Sequence, residues 1–160
     1  MRRSVREGET ARDGWDERAV LRPVEVALEV AGFYAYLTLD QEARWMVASD
    51  SELGRVDVRV GRDGYELAVW DVSPGLFLEE EDERRRVAQE RLARVTLPAL
   101  ARGYLAANQE VWWDEELHGV GARLRLELPF AAQPHLGEIA RQRLDDLNDL
   151  IAFVETKLSE

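Results

Sequence analysis

The chain contains no cysteine, which excludes disulfide bridges and thiolate metal sites and fits a reducing, cytoplasmic setting. Histidine is almost as scarce: only His118 and His135 occur. Lysine is represented by Lys157 alone, so arginine carries nearly all the positive charge. That bias fits a GC-rich bacterial genome, and guanidinium groups also serve interfaces well. No apolar run approaches the roughly 20 residues needed to span a bilayer. The first 14 residues carry arginines without the apolar stretch of a secretory signal. Also missing are Gly-x-Ser-x-Gly, the phosphate-cradling Gly-x-x-x-x-Gly-Lys-Ser/Thr, and Gly-x-Gly-x-x-Gly after a strand.

What is present fits a folded globule. The 160 residues are 46% hydrophobic and include five tryptophans, enough for one domain with a real core. Residues 1–14 are polar and aperiodic and read as a flexible tail, leaving 15–160 as the domain. With 32 acidic residues against 21 basic ones, the formal net charge is −11. Such a chain is repelled by phosphate backbones and anionic membranes. It favours a basic protein partner, and DNA-handling proteins are a natural source of basic surfaces.

Residues 119–128 alternate cleanly. Val120, Ala122, Leu124, Leu126 and Leu128 point one way, while Gly121, Arg123, Arg125 and Glu127 point the other. A sheet with one buried and one polar face follows. Val56, Val58 and Val60, then Tyr65, Leu67 and Val69, repeat the habit around the Asp63-Gly64 hairpin signal. Two further extended runs cover Tyr34–Leu39 and Arg44–Ala48 around a polar break, and a short strand covers Glu110–Asp114.

Three helices complete the pattern. Over residues 15–31 the alternation of Val24, Val26, Leu28 and Val30 fits a strand by period alone. Pro23 suits an opening helical turn, Gly32 a left-handed C-cap, and Glu, Ala and Leu favour helix, which is the assignment. From Glu79 to Asn108 an acidic start precedes a stripe of Ala88, Leu92, Val95 and Ala99, with Leu97, Leu100 and Tyr104 beside it. Pro98 predicts a kink or break near Thr96. After Pro134, the residues Leu136, Ala140, Leu144, Leu147, Ile151, Val154 and Leu158 form a strong amphipathic stripe.

Chemistry-bearing clusters are few. His118 follows Asp114, Glu115 and Glu116 in one loop, but metal ligation needs convergence on a point, which consecutive loop carboxylates rarely achieve. No catalytic, cofactor-binding or metal residue is assigned. The aromatic residues say more. Trp112 and Trp113 are adjacent on a strand and must face opposite sides, and Trp70 falls on the charged face. Tryptophan and arginine are enriched at interface hot spots. The protein-interface candidates are therefore Trp70, Trp112, Trp113, Arg123, Arg125 and Glu127.

This layout resembles the YbjN-like family, which shares its fold with type III secretion chaperones. The likeness rests on Leu21-Arg22-Pro23-Val24-Glu25 leading into Ala31-Gly32-Phe33, on the Asp63-Gly64 hairpin, and on the Arg84–Ala107 helix. The Trp112–Leu128 hairpin and closing amphipathic helix complete it. Pro98 and the Trp112-Trp113 pair depart from it. The resemblance implies an α+β domain of order α-β-β-β-α-β-β-α, about five antiparallel strands with helices on one face. It also implies a cytoplasmic homodimer that binds partner or client proteins without cofactor, small-molecule substrate, direct nucleic acid or membrane. The alternative is a small-ligand or metal-dependent enzyme using the acidic loop 114–118.

Overall fold

The computed structural model describes residues 16–160; the tail expected at 1–14 lies outside them. The first helix, α1 (Glu17–Val30), starts where the Asp16 side chain accepts a hydrogen bond from the Arg18 amide. It buries Leu21, Val24 and Leu28 while Val26 and Val30 stand exposed. A strand would have put Val24, Val26, Leu28 and Val30 on one face, so the split identifies the helical period. Pro23 sits inside the helix, not at its opening. Gly32, at φ +97°, takes the left-handed conformation expected just past the C-cap.

Four strands follow as a meander: β1 (Ala35–Leu39), β2 (Trp45–Ser51), β3 (Gly54–Val60) and β4 (Gly64–Ser73). Helix α2 (Glu83–Tyr104) then carries the chain to β5 (Gln109–Asp114) and β6 (Gly119–Pro129). A 3-10 turn (Phe130–His135) holds Pro134 and leads into α3 (Leu136–Ser159). The fold is thus α+β, but the sheet has six strands in the order β1-β2-β3-β4-β6-β5, with four strands before the middle helix. The expectation of about five strands is corrected because both extended runs between 33 and 51 pair, Ala35 opposite Ser49 through Leu39 opposite Trp45.

All strand pairs are antiparallel. Helices α1 and α3 cover one face, where Val56, Val58, Leu67, Val69, Val120 and Ala122 meet Leu21, Val24, Leu28 and the α3 stripe. That stripe is buried from Leu136 to Val154 as its period requires.

Of the kink or break expected near Thr96, the break does not occur: the middle helix runs continuously through Pro98. The bulky members of the apolar stripe also face outward: Leu92 is 65% and Val95 70% exposed, whereas Glu90, Ala93, Leu97 and Leu100 are buried. Periodicity finds an apolar stripe but cannot say which of two faces the domain uses.

Candidate functional site

Strand alternation sends every second side chain away from the helices. Across the sheet one row runs Asp50, Arg55, Trp70, Arg123 and Glu110, each the cross-strand partner of the next. The next row brings Ala48, Asp57, Ala68 and Arg125 together, and a third aligns Arg59, Glu66 and Glu127. With the β1–β2 turn, the members of these rows other than Asp50, Glu110 and Ala48 line a concave trough of about 1020 Å3.

The polar groups of the trough hold one another in place. Arg55 Nε donates to Asp57 at 2.8 Å, and Trp70 Nε1 donates to the second Asp57 oxygen at 3.1 Å. Arg123 and Arg125 grip one carboxylate, Glu110, at 3.1 and 2.7 Å. Arg59 donates to Asp40 at 2.8 Å. Burial opposes ionisation of Asp40, but the Arg44 amide, the Arg59 guanidinium and the Glu42 amide outweigh it and hold its carboxyl below the ordinary value. Glu127 makes no ion pair among the described residues. Five arginines and five carboxylates line the trough, a balanced surface on a chain of net charge −11.

Of the six interface candidates, Trp70, Trp112, Arg123, Arg125 and Glu127 share this open face. Trp112 lies across its cross-strand partner Gly121, where any Cβ would meet the indole. The Arg123 guanidinium stands 5.5 Å from the centre of that ring. Trp113 takes the helix-covered side, stacked on Phe77 with ring centres 6.1 Å apart and its Nε1 buried without a hydrogen-bond partner among the described residues. Arg55, Asp57 and Glu110 belong to the site as much as the named candidates do. Alternation alone places Arg55 and Asp57 on the polar face, but only strand register reveals their neighbours.

The acidic loop is engaged in its own architecture. Asp114 accepts from the amides of Glu116 and Leu117, and Glu115 receives two hydrogen bonds from Arg94 at 2.5 and 2.7 Å. His118, at φ +55°, places Nδ1 3.2 Å from the buried Glu90 carboxylate. Among the described residues no three His, Cys, Asp or Glu side chains are placed to hold a metal ion. His135 Nδ1 stands 3.9 Å from Glu138 at the start of α3.

No family model matches the sequence, and no curated protein or solved structure matches it either. Among the described residues no helix is long and apolar enough to cross a membrane. The chain is an α+β protein with a one-sided antiparallel sheet whose uncovered face carries an ordered arginine–carboxylate–tryptophan array.

Proposed function

We propose that this protein is a non-enzymatic, chaperone-like adaptor that holds a partner protein on the open face of its sheet. One observation carries the reading: half-buried Trp70 lines a concave trough with Arg123 and Arg125, and half-buried Trp112 packs under Arg123 on the same sheet face, which no helix among the described residues covers. Indole and guanidinium groups dominate interface hot spots because they combine large contact area with directed hydrogen bonds. The ion pairs already hold the arginines in position, which lowers the entropy lost on binding. A net charge of −11 steers a basic client toward the molecule, while the balanced face itself imposes little repulsion. The YbjN-like and type III secretion chaperone resemblance points to the same class of activity, in a cytoplasmic setting. Self-association is the commonest form such contacts take, so the proposal includes a homodimer.

The test is the double variant Arg123→Glu with Arg125→Glu, which reverses charge at two side chains outside the core. The expected result is a cooperative thermal melt lowered by only a few degrees, since the Glu110 pairs and the Trp112 contact are lost but no core side chain is touched, with at least a tenfold loss of protein recovered by affinity purification and a reduced oligomer mass by light scattering. Unchanged mass together with unchanged recovery would show a face that is merely wet, and would end the proposal.

A further inference from the structure

Helix α2 has two apolar faces, and the domain uses only one. At 100° per residue, the outward residues Ala88, Leu92, Val95 and Ala99 centre about 150° away from the buried Glu90, Ala93, Leu97 and Leu100. Their spacing of four, three and four is that of a two-heptad helix-pairing seam. The alanines at each end allow a second backbone to approach closely.

Past the acidic run 79–83 that leads into α2, the charge beside this seam is of one sign. Within α2 stand six arginines and two glutamates, and of those glutamates Glu90 is buried and Glu83 lies in the first turn. Arg84, Arg91 and Arg102 flank the seam on one side and Arg85 on the other. Ten of the sixteen arginines among the described residues are paired with carboxylates, yet the guanidinium groups of Arg84, Arg86, Arg91 and Arg102 make no ion pair there. Three of these, Arg84, Arg91 and Arg102, share one flank of the seam, a local basic strip on a chain with net charge −11.

We infer that the outer face of α2 docks an acidic amphipathic helix of another protein, with leucine-like side chains on the Leu92–Val95 seam and carboxylates on Arg84, Arg91 and Arg102. A second copy of this chain fits less well. In an antiparallel pairing Ala88 meets Ala99 and Leu92 meets Val95, but Arg84 of each copy then lies beside Arg102 of the other. A parallel pairing sets every arginine against itself, and like charges at such distances destabilise the pair. A membrane-surface helix needs a wider apolar face with aromatic anchors, and this seam has two large aliphatic side chains and no ring. Nucleic acid would match the arginines but leave Leu92 and Val95 wet. The inference does not depend on the open sheet face, so the two surfaces give an adaptor one site for a basic client and another for an acidic partner.

The test uses a fluorescent peptide of about 20 residues, glutamate-rich with leucine at heptad a and d positions, titrated with the full chain and read by anisotropy. Binding in the micromolar range is expected, weakening as salt rises. Arg84→Glu with Arg91→Glu and Arg102→Glu, and separately Leu92→Ser with Val95→Ser, are each expected to weaken it at least tenfold. All these side chains are exposed, so melting temperature should hold in both variants. The open-face variant, Arg123→Glu with Arg125→Glu, should bind the peptide normally, which separates this inference from the proposed function. Absence of peptide binding, or binding that survives both α2 variants, would overturn it. So would preferential binding of anionic lipid vesicles or duplex DNA, or a dimer that dissociates in Leu92→Ser with Val95→Ser.

Discussion

Trp112 lies across its cross-strand partner Gly121, whose lack of a side chain leaves room for the indole. The ring is thereby pressed against the sheet, where the Arg123 guanidinium covers it. Gly121→Ala places a methyl group where the ring now lies. Because β5 is the edge strand, the indole can swing outward without disturbing the core. The expected outcome is a folded protein with a red-shifted tryptophan emission, a stability loss of about 1 kcal/mol from the broken cation–π contact, and weakened client binding. Unchanged emission would show that the ring does not rest there.

Asp57 is a buried carboxylate with two donors, Arg55 Nε and Trp70 Nε1. Asp57→Ala leaves Arg55 Nε and the Trp70 indole N–H without their acceptor, and the guanidinium keeps only its longer contact to Asp50 at 3.4 Å. A cost of about 2–3 kcal/mol is expected in urea unfolding, because hydrogen bonds to charged groups exceed neutral ones and their donors are left unpaired. Asp57→Asn, which keeps one acceptor oxygen, should lose less.

Two leucines five residues apart on α2 test which face the domain uses. Leu97 is 3% exposed and Leu92 65% exposed. Leu97→Ala should cost about 2–4 kcal/mol through lost burial and a residual cavity. Leu92→Ala should stay within about 0.5 kcal/mol. Equal costs in chemical denaturation would contradict the orientation of the helix.

Asp40 makes stability depend on pH in a defined direction. Its folded carboxyl titrates below the unfolded value of about 3.9. Its contribution is therefore complete above the unfolded value and disappears as pH falls through the folded one. Asp40→Asn is expected to be less stable than the native chain by about 1–3 kcal/mol at pH 7. The gap should narrow below about pH 4. A gap that is constant with pH would rule out this role for the carboxylate.

Ser49 sits on the helix-covered side of β2, fully buried, with no partner for its hydroxyl among the described residues. Ser49→Ala removes an unsatisfied polar group and is expected to raise stability by up to about 1 kcal/mol, measured by thermal melt.

Much of this architecture is legible in the sequence where one periodicity dominates. The α3 stripe and the β6 alternation each have a single buried face, so their patterns translate directly into burial. For α1 the alternating valines obscure a helical period that becomes visible once Val26 and Val30 are seen exposed. Pro98 suggests a kink or a break, and the structure excludes the break, since one continuous helix runs through it. The candidate face was half visible. Trp70, Arg123, Arg125 and Glu127 follow from alternation, while Arg55, Asp57 and Glu110 emerge only from pairing between strands far apart in the chain.

The sequence by itself determined the class of elements, the one-sided sheet and the absence of thiol chemistry, because these depend on local period and composition. Tertiary structure decided which strands are neighbours, which tryptophan of the 112–113 pair faces outward, and which apolar face of α2 stays uncovered. Those outcomes depend on register and on competition between surfaces for one core. A local pattern fixes a face, but only packing against distant residues decides whether that face is inside.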